Sequence, residues 1–455
     1  MGAVWSSLQE APSGNSKTLI GFITDCEGNF DYWQKCVELS RVVGFNDAGE
    51  LQFSRPHEAD RFVFGGDVFD KGPGDIRIAV ELVRFKRRHP ERVWLLAGNR
   101  DLNKLRFTAE LAEEDVDVGQ PVPLYPRAPP QVSLRSFLEK RAAEEGAKDL
   151  SAVNTKANRL RWILEHTMTA GGAFEHRRKE LALLEGQAED SVTDDAVVQS
   201  FVDSVAKEDG FVWSYLFECS FAVVLDGTLF VHGGIPKDAP GWLPPPDMRY
   251  LSPKEGASCG GTNLPEGHNL GDWVAAMNDF LKEGLKNFRE QTSWRSDRSR
   301  GGEALLSMTS SPASFQRSIV VESLLQGGMP VDPDPNVEAY LARGGIVRVI
   351  CGHKPCGDSP FVIRRQQVEY VHCDTTYSDS TARDKRGNCV AAVEVECAGQ
   401  ASSQLCIRGI LCDGRSYDFT LPGSEQLAGG SEFVGRQLQD GWWVKAKLPD
   451  GSYHL

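Results

Sequence analysis

Five short apolar runs, rich in β-branched residues, end on polar, glycine-containing turns: TLIGFITD (18–25), RFVFGGD (61–67), RVWLLAGN (92–99), TLFVHGG (228–234) and IVRVICGH (346–353). Apolar residues at consecutive rather than alternate positions predict strands buried on both faces. Helical spacing follows some of them: Tyr32, Cys36, Leu39 and Val43 share one helical face, as do Ile78, Leu82 and Phe85. SFAVVLDGTLFVHGG predicts two strands joined by an Asp226-Gly227 hairpin turn. Beyond residue 360, QVEYVHCDTT, CVAAVEVE and QLCIRGIL alternate like antiparallel strands. The pattern is that of a layered α/β architecture with a mixed second half.

Two stretches interrupt it. Residues 105–210 begin acidic, pass through PVPLYPRAPP and then turn helical, with Thr193 the expected cap of a helix carrying Val197, Val198, Phe201, Val202 and Val205 on one side. Residues 236–345 hold a stronger stripe of Trp273, Met277, Phe280, Leu281, Leu285 and Phe288, which reads as core packing. RSDRSRGG (295–302) reads as an exposed, solvated loop, and the end of the chain, FVGRQLQDGWWVKAKLPDGSYHL, as short strands around two Asp-Gly turns. The expected organisation is a flexible N-terminus (1–16), a main domain (17–420) with insertions at about 105–210 and 236–345, and a β-rich extension (421–455).

Length and charge narrow the partners. At 455 residues there is ample chain for a large core, and no apolar run is long enough to cross a bilayer. A net charge of −14 disfavours nucleic acid and anionic membranes, so any phosphate-bearing ligand needs local attraction from metal ions or a few Arg and Lys side chains. The first stretch, MGAVWSSLQEAPSGNSK, has neither the basic start nor the apolar core of a signal peptide. Met1-Gly2 followed by Ser6 fits the N-myristoylation pattern, but one acyl chain gives only transient attachment, and a floppy polar start is the plainer reading. Eleven cysteines without a C-x-x-C pair point to reduced thiols and a cytoplasmic protein.

The candidate chemistry lies at the strand ends: Asp25-Cys26-Glu27-Gly28-Asn29, Gly66-Asp67-Val68-Phe69-Asp70-Lys71-Gly72, Gly98-Asn99-Arg100-Asp101, His232-Gly233-Gly234 and Gly352-His353. Ligands bind where strand ends converge, and carboxylates, an amide oxygen and imidazoles are donors for divalent first-row metals. Each motif alone is commonly a turn or a helix cap. Five in series, all at strand ends, are hard to attribute to turns.

In this order the motifs resemble those of the calcineurin-like metallophosphoesterases, in particular the phosphoprotein phosphatase branch, with D-x-H-G, G-D-x-x-D-R-G, G-N-H-E, H-G-G and a late G-H or A-H. The resemblance spans roughly residues 17–420 and implies a β-sandwich flanked by helices, with two metal ions that activate water for in-line attack on phosphorus. It implies that Asp67 bridges the metals, with Asp25 on one and Asn99, His232 and His353 on the other. Asp374, in VHCDTTY, fits the segment after the last motif and is expected to be structural.

Three positions depart from the family pattern. Glu27 stands where the family has the histidine of D-x-H; as a ligand it favours Mn²⁺ or Mg²⁺ over softer ions such as Zn²⁺ or Fe²⁺, and the alternative is that it misses the metal. Lys71 replaces the phosphate-gripping arginine and loses its bidentate fork. Arg100 replaces the histidine that serves as general acid beside Asp70; it can pair with Asp70 and bind phosphate, but it cannot supply a proton. His372 is the one substitute acid the sequence offers. Cys26 reads as a core residue, and Lys104 and Arg106 as residues of an exposed helix face.

The function expected is a two-metal phosphatase acting on phosphate monoesters of phosphoproteins. Hydrolysis of phosphoanhydrides, such as diadenosine polyphosphates or nucleotides, is a second reading, and the GHKP loop resembles that of family members with such activity. A non-catalytic phosphate- or partner-binding module is the third: Glu27 and Arg100 speak for it, and the retained ligands against it.

Overall fold

The computed structural model describes residues 17–112, 132–247, 260–297, 299–309, 317–375, 389–397, 403–423 and 433–455. The Gly2 and Ser6 signal and the proline-rich segment 121–130 lie outside these residues. Twelve strands form the two main sheets: β1 (Thr18–Ile23), β2 (Arg61–Phe64), β3 (Val93–Leu96), β4 (Cys219–Ser220), β5 (Ala222–Leu225), β6 (Thr228–Val231), β7 (Arg348–Cys351), β8 (Phe361–Arg364), β9 (Glu369–His372), β10 (Val390–Cys397), β11 (Ser403–Ile410) and β12 (Ser416–Leu421). One sheet runs β12-β11-β10-β1-β2-β3-β4 and the other β8-β9-β7-β6-β5.

The continuous apolar runs are explained by two cores. Side chains of a strand point alternately to opposite faces. On β1, Ile20 and Phe22 enter the core between the sheets, where Phe22 stacks on Phe230 at 5.7 Å. Leu19 and Ile23 enter the second core, under the helices Phe30–Leu39 and Asp75–Arg88. Val63 faces the first core while Phe62 and Phe64 face the second. The result is a β-sandwich flanked by helices, as the family resemblance implied. β1, β2, β3 and β4 run parallel, as do β6, β7 and β9, so the motif-bearing carboxyl ends within each set share an edge of their sheet. Among the described residues no helix is long and apolar enough to cross a membrane.

The hairpin at Asp226-Gly227 forms with φ of 45° and 73° at its two central residues. Thr193 caps Asp194–Ala206 by accepting a hydrogen bond from the Ala196 amide, and the stripe from Trp273 to Phe288 is buried along Leu270–Glu290. Four expectations need correction. The first helix stops at Leu39, because Ser40 turns the chain and its hydroxyl accepts from the Val42 and Val43 amides; Val43 begins a short strand instead. The strand Glu369–His372 pairs parallel with β7 as well as antiparallel with β8. Lys104 and Arg106 are buried rather than on an exposed face: Arg106 makes two hydrogen bonds of 2.9 Å to buried Glu110. Arg300, in the supposedly solvated loop, is buried as well, reaching Glu110 at 3.3 Å and lying over the Trp294 ring. The second inserted stretch thus closes onto the first through that carboxylate.

Candidate active site

The strand-end loops are tightly wound. Asp25, Glu27, Asp67, Asp70 and His353 all have positive φ, at 54°, 44°, 54°, 120° and 74°. Non-glycine residues rarely occupy this region, and where they do the surrounding structure must hold them. Here the holding contacts are visible. Asp101, fully buried, accepts hydrogen bonds from the amides of Gly98 (2.8 Å), Asp67 (2.9 Å) and Val68 (2.8 Å). The Asp25 carboxylate accepts from the His353 amide at 3.1 and 3.2 Å and from the Thr24 hydroxyl at 2.5 Å. Glycine is required where backbone crosses these acids: a Cβ on Gly98 would stand 2.1 Å from Asp67 Oδ1, and one on Gly352 2.1 Å from Asp25 Oδ2.

These loops bring the predicted donors together in two groups that share one residue. Asp25, Glu27 and Asp67 form the first, and Asp67, His232 and His353 the second; within each, ligand atoms lie within 4.8 Å of one another. Asn99 adjoins the second group, its Oδ1 lying 3.2 Å from His232 Nε2. His232 Nδ1 lies 2.8 Å from the Gly65 carbonyl, which fixes that nitrogen as the proton-bearing one and turns Nε2 toward Asp67 and Asn99.

The donor set fits divalent cations. Burial pushes the Asp25 carboxyl up, to about 6, against the pull of His232. Burial acts likewise on Asp67, but His232 and Arg100 outweigh it and hold that carboxyl far below the usual range. Against its own burial, His232 is carried up to about 10 by Asp67 and Asp25, the same negative charges that a divalent cation would neutralise. His353 is driven well below the ordinary histidine range by burial and by His232, and its buried Nδ1 has no hydrogen-bond partner among the described residues. A neutral imidazole among carboxylates is a metal donor in its ligating state.

Around these donors sit three basic side chains. The Arg100 Nε lies 3.0 Å from Glu27 Oε1 and 3.7 Å from Asp67 Oδ2, while its Nη1 reaches Asp70 Oδ2 at 3.2 Å and the Met168 carbonyl at 3.4 Å. Lys71 Nζ lies 3.1 Å from the other oxygen of Glu27, and burial followed by Arg100 pulls its pKa down to about 6. Lys104, also buried, donates to Asp70 Oδ1. Asp70 is oriented from behind by Asp75, which accepts from the Asp70 amide at 3.0 Å and pairs with Arg177 at 2.9 Å.

His372 does not join this arrangement. It is fully buried in β9 with its ring stacked on Phe361 at 4.9 Å, neither ring nitrogen has a hydrogen-bond partner among the described residues, and burial pushes its pKa down to about 3. Asp374 and Cys26 are buried near the same strand ends, and the Asp374 carbonyl accepts from the Cys356 amide. Sequence reasoning gave no role to Asp101, Asp75, Arg177 or the Met168 carbonyl. For Asp101 a signal existed, since it follows Gly98-Asn99-Arg100 directly; Arg177 and Met168 arrive from the inserted stretch with no motif of their own.

Residues 18–148 match the model of the calcineurin-like phosphoesterase family. Comparison with curated proteins gives no match. Solved structures with similarity include a cold-active protein-tyrosine phosphatase of a psychrophilic Shewanella species, at 11% identity and TM-score 0.41 over 88% of this chain and 80% of that one. Another is a protein serine/threonine phosphatase from Saccharomyces cerevisiae, at 11% identity and TM-score 0.33 over 86% and 79%.

Proposed function

We propose that this chain, a member of the calcineurin-like phosphoesterase family through residues 18–148, is a metal-dependent phosphomonoesterase of phosphoproteins that prefers aryl to alkyl esters. The observation that carries the reading is the pair of donor groups sharing Asp67. Asp25, Glu27 and Asp67 would hold one divalent cation, and Asp67, Asn99, His232 and His353 the other. The oxygen-rich first group favours Mn²⁺. Once bound, the two cations supply Lewis acidity at the phosphoryl oxygens and lower the pKa of water.

The remaining work falls to the chain's own basic side chains. Arg100 and Lys71 converge on Glu27 from two directions and are the side chains able to take up phosphate oxygens, Arg100 through N–H groups beyond those it directs at Glu27, Asp70 and the Met168 carbonyl. Asp70 sets the orientation of Arg100, assisted by Lys104. None of this provides a histidine acid. Arginine keeps its proton, and His372 is enclosed against Phe361. A leaving oxygen therefore departs without the proton transfer that contributes typically about 10²–10⁴-fold. Phenolates tolerate that loss and alkoxides do not, so the site suits phosphotyrosine and aryl phosphates better than phosphoserine. A phosphoanhydride, whose phosphate leaves equally well, is the second substrate class this argument admits.

The test is kcat/KM in Mn²⁺ against phosphate esters graded in leaving-group pKa, together with phosphotyrosine and phosphoserine peptides and a diadenosine polyphosphate. A steep fall with leaving-group pKa is expected, flattened in Arg100→His with a relative gain on phosphoserine. A flat profile in the natural protein would refute the account of Arg100, and no turnover of any substrate would favour a non-catalytic binding module.

A further inference from the structure

Away from the metal donors, two thiols approach each other unusually closely. Cys389 immediately precedes β10, and Cys412 begins the turn between β11 and β12, just before Asp413-Gly414. β10 and β11 are antiparallel with Val390 opposite Ile410, so one more residue back along β10 and two more along β11 bring both cysteines to the same end of the sheet. Their Sγ atoms are 2.8 Å apart. A disulfide bond measures about 2.05 Å, so closure needs a shift of under about 1 Å. Both residues flank a strand end and a turn, where such a shift leaves the ladder of β10 and β11 intact.

Exposure makes the pair reactive from one side. Cys412 is exposed while Cys389 is buried. An oxidant therefore meets Cys412 first, with the Cys389 sulfur 2.8 Å away. The position also matters. β10 pairs antiparallel with β1, Val393 opposite Phe22, so Cys389 lies at the end of the sheet where β1 delivers Asp25. Buried Tyr417 on β12 lies within electrostatic reach of Cys389 and also of Cys356 and Asp358, on the loop that follows His353.

We propose that Cys389 and Cys412 are a two-electron redox pair that closes to an intramolecular disulfide under hydrogen peroxide. The Cys412 sulfur attacks one peroxide oxygen, breaking the O–O bond; the departing oxygen leaves as water, and the sulfur becomes a sulfenic acid. The Cys389 sulfur then attacks that sulfur, forming the S–S bond and releasing the sulfenic hydroxyl as a second water. Two thiols are oxidised, one peroxide is reduced to two waters, and a dithiol such as dithiothreitol reverses the change. The bond ties the start of β10 to the turn after β11.

The experiment uses the full-length reduced protein, treated with about one equivalent of peroxide, alkylated, digested without reductant and mapped by mass spectrometry. The expected result is a linked peptide joining Cys389 to Cys412, loss of two titratable thiols, and a Tm higher by about 3 °C, all reversed by dithiothreitol. Cys412→Ser and Cys389→Ser should each abolish the linked peptide and the Tm rise. The mapping of the unmodified protein decides the matter even if a serine variant folds poorly. A sulfinic acid at Cys412, a disulfide from Cys412 to another cysteine such as Cys259, or survival of both thiols in peroxide would overturn the proposal.

Discussion

Replacing Arg100 by methionine keeps much of its volume and removes its charge, which isolates what that charge does for its neighbours. In the folded protein Arg100 stands within 3.7 Å of three carboxylates, Glu27, Asp70 and Asp67, and its side chain is only 13% exposed. With charge centres about 4 Å apart and an effective dielectric of about 20, each contact is worth a gross attraction of about 4 kcal/mol. Desolvation of the guanidinium offsets much of this, so the net loss in Arg100→Met should be about 3 kcal/mol, the usual result of breaking a buried pair from one side. Part of that loss is the penalty of leaving Glu27 with Lys71 alone, and it should vanish if Glu27 is neutral too. The double variant Glu27→Gln/Arg100→Met should therefore be less destabilised than the sum of the singles by about 1–2 kcal/mol. The assay is urea unfolding of the natural protein, both singles and the double in the presence of a chelator. Additivity within about 0.3 kcal/mol would mean that Glu27 and Arg100 are not paired in solution.

Three further outcomes follow from the same geometry. Asp67→Asn should reduce bound metal by more than His232→Ala does, because Asp67 belongs to both donor groups; elemental analysis after loading checks it, and undiminished metal in Asp67→Asn would end the two-group account. Glu27→His should move metal preference toward Zn²⁺ or Fe²⁺, read by competition between metals, with an unchanged order showing that Glu27 is no ligand. Asp101→Asn should destabilise the fold by about 2–3 kcal/mol in urea, since an amide has one oxygen where the carboxylate offers two to three backbone amides; a change below about 0.5 kcal/mol would contradict that support.

Much of the scaffold was legible because its signals are local. Consecutive apolar residues on β1, β2 and β3 report burial on both faces, and the motif at each strand end reports a loop that must carry polar groups. The two-core arrangement follows once alternate side chains are assigned to opposite faces. What stayed hidden was pairing over distance. Lys104 looks like an ordinary surface lysine until Asp70 is brought to it from 34 residues away. Arg300 looks solvated until Glu110, 190 residues earlier, receives it. His372 looked available as an acid because it lies two residues before Asp374, yet its strand position turns the ring into the core against Phe361. Charge alone does not announce burial; only the partner does.

The deepest of these long-range pairings explains two departures from the family pattern at once. A glutamate where the resembled motif pattern has histidine adds negative charge to a site already holding Asp25, Asp67 and Asp70, and would repel them if uncompensated. An arginine where the resembled motif pattern has histidine adds a positive charge. The two replacements, far apart in sequence, meet at 3.0 Å, and Lys71 holds the second Glu27 oxygen at 3.1 Å. Each change is costly alone and tolerable with the other, which argues against piecemeal loss of an active site. The pairing does not bar Glu27 from metal: each carboxylate oxygen has two lone-pair directions, and the cations engage one apiece. Nor does it bar Arg100 and Lys71 from phosphate, since both retain N–H donors beyond those spent on Glu27. Glu27 is thereby the hinge between the two halves of the site, with the metal donors on one side and the phosphate-directed N–H donors of Arg100 and Lys71 on the other.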